Sequence, residues 1–264
     1  MSLPQESRSP REPLAKRLLW MPVNFLQAVA TGAWTAGWIT VALIASAVRG
    51  RPDPGLALAR RVWAPGILFI GGNLQLEIAG RERLEPSRTY FFAANHQSWV
   101  DIPALFVALR RPVLFLAKRE LGQVPFLGRF IASMGMVFVD RAERRQTART
   151  VEEAVERLRE GRSIVSFPEG TRTPDGRVHP FKTATFAAAM EAGVPVVPVA
   201  LEGAARVLPR DGFRVRPGLV RVTIGEPIPT AGLGRQDRAE LATRVQAAVA
   251  EMVEGMRLVP RLPG

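Results

Sequence analysis

The feature that most constrains the fold is an uncharged run of 31 residues, from Leu18 to Val48. About 20 apolar residues let a helix cross the hydrocarbon of a bilayer, so this run is long enough for one crossing and too short for two. Basic residues stand on both sides, with Lys16 and Arg17 before the run and Arg49 after it, so the flanking charge does not select an orientation. The run therefore predicts membrane association.

Three forms of association fit this run. A single helix that spans the bilayer is the first. Two short helices that dip into one leaflet are the second, because Gly32 and Gly37 are positions where a helix can break. A signal peptide is the third, since Ala45-Ser46-Ala47 resembles a cleavage site, although the apolar region is longer than such peptides require. The run is diluted by five polar residues, Asn24, Gln27, Thr31, Thr35 and Thr40. It also contains three tryptophans that suit an interfacial depth, Trp20, Trp34 and Trp38.

The segments around this run complete a three-part organisation. Residues 1–13 combine three prolines with Ser, Arg and Glu, a composition that predicts a disordered leader. Residues 53–69 place apolar side chains at helical spacing with two arginines between them, which predicts an amphipathic helix on a membrane surface or against the core. We therefore expect membrane-associated helices over 14–70 and one α/β domain over 71–264.

Beyond residue 70, short apolar runs alternate with amphipathic stretches. The apolar runs have the length of buried strands, and the stretches between them carry apolar residues at helical spacing. This alternation predicts an α/β domain with a mostly parallel central sheet flanked by helices. The predicted strands are 73–78, 87–94, 113–117, 135–141, 163–167, 194–201 and 220–225, and the clearest predicted helices are 143–160, 181–192 and 236–256.

Charge and composition exclude several kinds of partner and site. The formal net charge is +12 and the sequence pI is about 11.4, which favours anionic partners such as lipid headgroups or phosphorylated substrates. The chain lacks the spacings of zinc fingers and RNA-recognition motifs, so we expect no nucleic-acid partner. With no cysteine and two histidines, His96 and His179, thiolate chemistry is excluded and no metal site is expected.

The stretch Asn95-His96-Gln97-Ser98-Trp99-Val100-Asp101 carries the strongest signal for catalysis. It follows a predicted strand and precedes a predicted helix, and α/β sheets place their chemistry outside the carboxyl ends of strands. With four residues between them, His96 and Asp101 can fold together, so that the carboxylate fixes one ring nitrogen and leaves the other as a base. The same stretch also fits a structural role, because Ser98 and Asp101 match a helix capping box.

Four sequence blocks resemble those of the glycerolipid acyltransferases, and most of all the bacterial 1-acylglycerol-3-phosphate acyltransferases. The blocks also occur in the order found in that family. The resemblance covers residues 75 to 225, and Lys118-x-Glu120-Leu121 with Pro125 and Gly128 adds to it. The blocks are Asn95-His96-x4-Asp101, Phe138-Val139-Asp140-Arg141, Phe167-Pro168-Glu169-Gly170-Thr171-Arg172 and Val194-Pro195-Val196-Val197-Pro198-Val199.

The resemblance implies transfer of a fatty acyl group from a thioester to the sn-2 hydroxyl of 1-acylglycerol-3-phosphate (lysophosphatidic acid), which forms phosphatidic acid. It implies His96 as the general base and Asp101 as the residue that orients it. The implied donor is acyl-CoA or acyl carrier protein, and no other cofactor is expected. The implied partners are a lipid acceptor and an anionic membrane surface, and the implied location is the cytoplasmic face of the inner membrane.

The resemblance also implies a cationic site for the acceptor phosphate. It assigns Glu169-Gly170-Thr171-Arg172 to the acceptor-binding loop, with Arg172 on the phosphate, because a guanidinium can bind two phosphate oxygens at once. Lys118 and Arg141 follow strands that are expected to end at the same sheet edge, where they would add positive charge. The simpler alternatives are an ion pair between Arg172 and Glu169, and a solvated rim at Lys118 and Arg141.

Other functions fit part of the sequence. The same chemistry fits another lysolipid acceptor, such as a lyso-ornithine lipid, or glycerol 3-phosphate. A membrane-surface protein that binds anionic lipid without catalysis would need the arginines, but it would not need a general base at His96. His179 stands in a Gly-rich loop and has no role that the resemblance assigns, so we expect it at the surface.

Overall fold

The structure, a computed structural model, describes residues 14–139, 144–173, 175–210 and 213–259. The predicted leader 1–13 and the predicted site residue Arg141 lie outside this part of the chain. The strands in the described residues are β1 (Gln75–Ala79), β2 (Phe91–Ala94), β3 (Val113–Lys118), β4 (Val137–Val139), β5 (Ser163–Ser166), β6 (Val196–Glu202) and β7 (Leu219–Ile224).

The strands form one sheet in the order β1-β7-β6-β2-β5-β3-β4. From β6 to β4, neighbouring strands are parallel, whereas β7 is antiparallel to β6 and β1 is parallel to β7. Every residue of β2, β5 and β6 is buried, which is typical of parallel strands that are covered on both faces. The predicted α/β domain with a mostly parallel sheet is therefore confirmed.

Helices cover both faces of the sheet and create two apolar clusters. One cluster joins the sheet to α3 and α4, and the other joins it to α6, α7 and α9. The helices are α1 (Leu14–Arg49), α2 (Asp53–Leu58), α3 (Ala64–Ile70), α4 (Asp101–Leu109), α5 (Leu127–Ser133), α6 (Arg144–Arg159), α7 (Ala187–Ala192), α8 (Ala204–Val207) and α9 (Arg238–Leu258), and a π-helical turn at Ala59–Trp63 joins α2 to α3.

The uncharged N-terminal run forms one continuous helix rather than a hairpin. Helix α1 extends over 36 residues, and neither Gly32 nor Gly37 interrupts it. The alternative of two short helices within this run is therefore wrong. The actual partner of α1 is the following segment, α2 to α3, which packs against it in the opposite direction and confirms the helix predicted over residues 53–69.

Several polar residues of α1 face the protein, whereas Thr40 is exposed and bonds the Ala36 carbonyl of its own helix. Asn24 Nδ2 donates to the Val215 carbonyl at 3.0 Å, and Gln27 Nε2 donates to the Ile70 carbonyl at 3.2 Å. Further along the helix, Ser46 Oγ accepts from the Gly55 amide at 3.2 Å. Two of the polar residues that dilute the apolar run, Asn24 and Gln27, thus bond the rest of the protein.

The outward side of α1 is apolar along its length. Phe25 is 69% exposed and Ile44 is 60% exposed, although both are large apolar side chains. The helix thus has the inverse of the usual pattern for a water-soluble protein, in which a surface helix turns its apolar stripe to the core. A lipid environment accounts for this pattern, because large exposed apolar surfaces mark contacts with a membrane or a partner. The apolar residues on this side include Leu18, Leu19, Met21, Leu26, Val29, Val41 and Val48.

Candidate active site

The sheet brings the first and third sequence blocks together at one edge. Strand β2 lies next to β5, and both strands end at the same edge because they are parallel. His96 follows β2, and the loop from Phe167 to Arg172 follows β5. Strand β3, which is parallel to β5, ends at Lys118 on the same edge. Within the described residues, this edge is therefore the place where the predicted catalytic residues meet Lys118 and the predicted acceptor-binding loop.

His96 and Asp101 form the predicted pair. His96 Nδ1 lies 2.7 Å from Asp101 Oδ2, and the side chains are 13% and 0% exposed. Asp101 Oδ2 also accepts the backbone amides of Gln97 at 2.7 Å and Ser98 at 2.8 Å. Asp101 therefore holds the turn before α4 as well as the imidazole. The capping box predicted for Ser98 and Asp101 does not form, because Val100 is the N-cap residue of α4 and no side chain caps that helix. The contact of Asp101 with the imidazole assigns a proton to Nδ1 and leaves Nε2 as the basic nitrogen.

The loop after β5 holds the backbone of His96 from both sides. Glu169 Oε1 accepts the His96 amide at 3.0 Å, and the Thr173 amide donates to the His96 carbonyl at 2.8 Å. The imidazole also stacks on the Phe167 ring, with 4.0 Å between ring centroids and 17° between ring planes. Three contacts from one loop thus fix the position and the tilt of the imidazole ring.

Asn95 fixes the point at which the chain leaves β2. Its side-chain Nδ2 donates to the Leu201 carbonyl at 2.9 Å, while its Oδ1 accepts the Leu201 amide at 2.8 Å. This reciprocal pair continues the pairing of β2 with β6 through a side chain. The sequence placed Asn95 in the first block but predicted no role for it. Its position directly before the catalytic histidine was the sequence feature that could have indicated one.

Glu169 is buried below the site. It is 6% exposed, and its second carboxylate oxygen accepts the His179 amide at 3.4 Å. Burial raises the pKa of Glu169 to about 8, and the nearby Asp101 and Asp175 carboxylates act in the same direction, whereas the hydrogen bonds from the two backbone amides oppose them. The structure thus places this predicted acceptor-binding residue against the backbone of the catalytic loop.

A cavity of about 1020 Å³ opens beside His96. Its polar end includes Lys118, Thr171 and Arg172 together with the imidazole. Most of the remaining lining is apolar and comes from the sheet, α4, α5, α6 and the N-terminal helices. The apolar residues of this lining include Trp38, Ile39, Ala42, Trp63, Ile67, Ile102, Phe106, Phe115, Leu127, Phe130, Ile131, Met136 and Val151. The site therefore combines a base, positive charge and room for a long apolar group.

Two of the three cationic residues that line the cavity, Arg172 and Lys118, have different surroundings; the third is Lys182. The Arg172 guanidinium lies over the Trp99 ring, 4.9 Å from the ring centroid, and this stacking orients its planar group at the cavity mouth. Lys118 is 59% exposed, and its Nζ lies 2.7 Å from Glu120 Oε1. Gly170 lines the same cavity and has a φ of +80°, a conformation that suits glycine and lets the loop turn sharply after Glu169.

His179 lies apart from this chemistry. It is exposed, and its Nε2 lies 3.1 Å from Asp175 Oδ1 on the same loop. The surface position predicted for it is confirmed.

Comparisons with known proteins agree on one family. The acyltransferase family model matches residues 75–202. A 1-acyl-sn-glycerol-3-phosphate acyltransferase of Chlamydomonas reinhardtii is 35% identical over 59% of this chain and 47% of its own length. A lyso-ornithine lipid O-acyltransferase of Pseudomonas aeruginosa is 31% identical over 88% of this chain and 92% of its own length. The chain spans about half the length of the algal and plant relatives that it matches.

A solved structure shows the same architecture. The crystal structure of the 1-acyl-sn-glycerophosphate (LPA) acyltransferase from Thermotoga maritima superposes with a TM-score of 0.77. The two chains are 28% identical, and the match covers 94% of this chain and 99% of the other. The similarity therefore includes the N-terminal helices as well as the sheet.

Proposed function

Because this chain belongs to the acyltransferase family, we propose that it transfers a fatty acyl group from a thioester donor to the sn-2 hydroxyl of 1-acylglycerol-3-phosphate. The observation that carries the proposal is the position of the His96–Asp101 pair at the polar end of a long apolar cavity. A protein that only binds anionic lipid would have no use for an oriented imidazole. The product of the proposed reaction is phosphatidic acid.

The chemical step follows from the orientation of the imidazole. With Nδ1 bound to Asp101, His96 Nε2 accepts the proton of the acceptor hydroxyl. The hydroxyl oxygen attacks the carbonyl carbon of the thioester at the same time. The carbon–sulfur bond then breaks, and the leaving thiolate takes the proton from Nε2, which restores the neutral imidazole. General base catalysis of this kind typically contributes about 10²- to 10⁴-fold in rate. The chain has no cysteine, so an acyl-cysteine intermediate is excluded.

The shape of the cavity supports an acyl chain as its occupant. Sites for small ligands are usually about 300–1,000 Å³ and mostly apolar, with a few polar groups that fix orientation. The cavity beside His96 is at the upper end of that range, and most of its lining residues are apolar. An acyl chain in the apolar part would place its carbonyl carbon near His96.

Positive charge at the cavity mouth supports a phosphorylated acceptor. Arg172 and Lys118 both line the cavity that holds His96, and a guanidinium binds phosphate oxygens in bidentate geometry. A lyso-ornithine lipid is a second candidate acceptor, because a relative of that name aligns with most of this chain. Its amino-acid headgroup offers a carboxylate in place of a phosphate. The two acceptors would therefore differ in the negative charge that they bring to Arg172.

The structure of α1 supports a location in one leaflet. Hydrogen bonds from α1 to the rest of the chain extend from Asn24, which bonds Val215 of the catalytic domain, to Ser46, which bonds Gly55 of α2, and α5 also packs against α1. These bonds cover about 33 Å of helix, which is longer than the hydrocarbon thickness of about 30 Å. A helix perpendicular to the membrane would therefore bring polar protein surface into the hydrocarbon, at high cost. We infer that α1 lies in the plane of the membrane, at the cytoplasmic face of the inner membrane, where the net charge of +12 favours anionic lipid.

An acceptor competition assay tests the proposed function. The full chain in detergent receives long-chain acyl-CoA, or acyl carrier protein loaded with the same chain, and an equimolar mixture of lysophosphatidic acid, lyso-ornithine lipid and glycerol 3-phosphate. Mass spectrometry of the lipid products is expected to show phosphatidic acid as the main product. Preferential acylation of lyso-ornithine lipid would replace the proposed acceptor. No acylated product with either donor would favour the non-catalytic lipid-binding protein.

A further inference from the structure

The connection between β3 and α5 carries an exposed apolar tip. Val124 is 43% exposed and Phe126 is 58% exposed, with Pro125 between them. The tip is short and held in place, since the Leu127 amide donates to the Pro125 carbonyl at 2.7 Å and the Gly128 amide donates to the Val124 carbonyl at 2.9 Å. The structure thus presents an aromatic ring to the surroundings on a well-defined turn.

The backbone at Phe126 is in a conformation that a bulky residue rarely adopts. Its φ is +62° and its ψ is −48°. Glycine adopts positive φ without steric cost, whereas a side chain with a Cβ is strained there. Strained backbone is concentrated at functional sites, where it holds a side chain in a useful direction. An exposed phenylalanine at such a position therefore calls for a function outside the packing of the core.

The tip lies at the mouth of the cavity and next to α1. Leu121 precedes the tip and Leu127 follows it, and both line the cavity together with Thr31 and Thr35 of α1. Helix α5, which begins directly after Phe126, packs against α1. The apolar tip is therefore flanked by residues that line the cavity of His96, and it stands next to a helix that packs against α1.

Basic residues border the tip. Lys118, Arg119 and Arg129 are exposed on either side of it, and Glu120 is the acidic residue of this segment. Apolar and aromatic side chains bordered by Lys and Arg are typical of protein surfaces that lie in the interface of an anionic membrane. The charge pattern favours a lipid surface over an apolar protein partner.

We propose that the tip Val124–Phe126 is a second membrane contact, in which Phe126 inserts among the lipid acyl chains beside the cavity mouth. This inference rests on the proposed membrane location and goes beyond it. With α1 on one side of the opening and the tip on the other, a lipid acceptor would enter the cavity from the leaflet without crossing water. The partner is a bilayer with anionic headgroups.

Site-specific fluorescence quenching tests this contact without any need for turnover. The chain has no cysteine, so Phe126→Cys, Phe25→Cys and Glu191→Cys each give one site for a polarity-sensitive fluorophore. Phe25 is on the outward side of α1, and exposed Glu191 is at the end of α7, which packs on the sheet face opposite α3 and α4. The vesicles contain phosphatidylethanolamine, phosphatidylglycerol and a lipid with a nitroxide on its acyl chain.

The expected result is strong quenching and a blue shift at positions 126 and 25, with neither effect at position 191. Quenching at 126 that does not exceed the level at 191, while position 25 is quenched, would overturn the second contact. Quenching at position 126 from a chain that acylates no acceptor would leave the contact standing and reject the proposed function.

A pair of activity measurements separates insertion from structural damage. Phe126→Gly removes the ring and relieves the positive φ, so the melting temperature is expected to stay the same or to rise. With acceptor embedded in vesicles, kcat/KM is expected to fall by about 10-fold, because burial of a phenylalanine side chain in lipid is lost. With a short-chain acceptor that is soluble as a monomer, kcat/KM is expected to be unchanged. An equal loss with both acceptors, or a loss only with acyl carrier protein as donor, would contradict membrane insertion.

Discussion

The two groups of polar residues at the cavity differ in how firmly the protein holds them. His96 and Asp101 are almost fully buried, and hydrogen bonds of 2.7 to 3.0 Å fix the imidazole, the carboxylate and the backbone between them. Lys118 is more than half exposed and pairs with a neighbour in its own segment. The buried group is suited to a chemical step that depends on geometry. The exposed Lys118 is suited to attraction and binding, where water weakens each contact.

The largest effect is expected at the imidazole. His96→Ala removes the proposed base, so kcat for acylation of lysophosphatidic acid is expected to fall by about 10²- to 10⁴-fold with little change in KM. The chain offers a matched control in His179→Ala, because the His179 side chain is exposed and, within the described residues, its ring nitrogens bond only Asp175, while its backbone amide, which bonds Glu169, is kept. A similar loss in both variants would show that His96 has no special catalytic role.

The next effect is expected at the carboxylate. Asp101→Asn keeps the size of the side chain but removes the charge that stabilises the protonated imidazole and selects its tautomer. We expect kcat to fall at least ~100-fold, as found when the carboxylate of other His–Asp pairs is replaced. Circular dichroism serves as the folding control, because Asp101 also accepts the amides of Gln97 and Ser98. A folded variant with nearly normal kcat would limit Asp101 to stabilising the turn before α4.

A smaller effect, on KM rather than kcat, is expected at the cationic rim. Arg172→Ala is expected to raise KM for lysophosphatidic acid by about 10- to 100-fold, because a hydrogen bond to a charged group is worth roughly 1.5–3 kcal/mol. Arg172→Lys is expected to recover part of the loss, since the charge returns without bidentate geometry. Lys118→Ala is expected to change KM by about 5-fold or less, because Lys118 is solvated. Effects on kcat alone would argue against a phosphate at this rim.

The smallest effect on turnover, but a distinct pH dependence of stability, is expected at Glu169. Its pKa of about 8 in the folded protein is above the ordinary value of 4.5, so the folded state holds one more proton than the unfolded state between these values. Stability from this group is therefore present below pH 4.5 and is lost as the pH rises to about 8. Glu169→Gln, which mimics the protonated form, is expected to gain melting temperature relative to wild type from pH 5 to pH 8. A constant difference between the melting temperatures of the two proteins from pH 5 to pH 8 would contradict the raised pKa of Glu169.

Much of the fold and of the site was accessible from local sequence signals. Buried parallel strands are short apolar runs, and such runs predicted the strands that lead to His96, Lys118 and Phe167. The pairing of His96 with Asp101 follows from a spacing of five positions across a single turn, so no distant contact had to be known. Short-range patterns are enough where the chemistry is local.

The remainder depended on distant contacts. Several polar residues of α1 recur at helical spacing and form one stripe: Asn24, Gln27, Thr31 and Thr35. Such a stripe is a sequence signal for a helix with one polar face, and in the structure Asn24 and Gln27 on this face contact the protein. The direction of the stripe was not predictable, because its partners are up to 191 positions away in the chain. The inward position of Glu169 has the same origin, since its hydrogen bond to His96 joins residues 73 positions apart.

The most direct test of direct transfer to the acceptor hydroxyl is rapid mixing of the full chain with long-chain acyl-CoA, with and without lysophosphatidic acid. Release of free CoA and the intact mass of the protein are followed together. Direct attack assisted by His96 predicts release of CoA only when the acceptor is present, in equal amount with phosphatidic acid, and an unchanged protein mass. A burst of CoA without acceptor, together with a protein heavier by one acyl group, would contradict direct transfer and point to an acyl-enzyme.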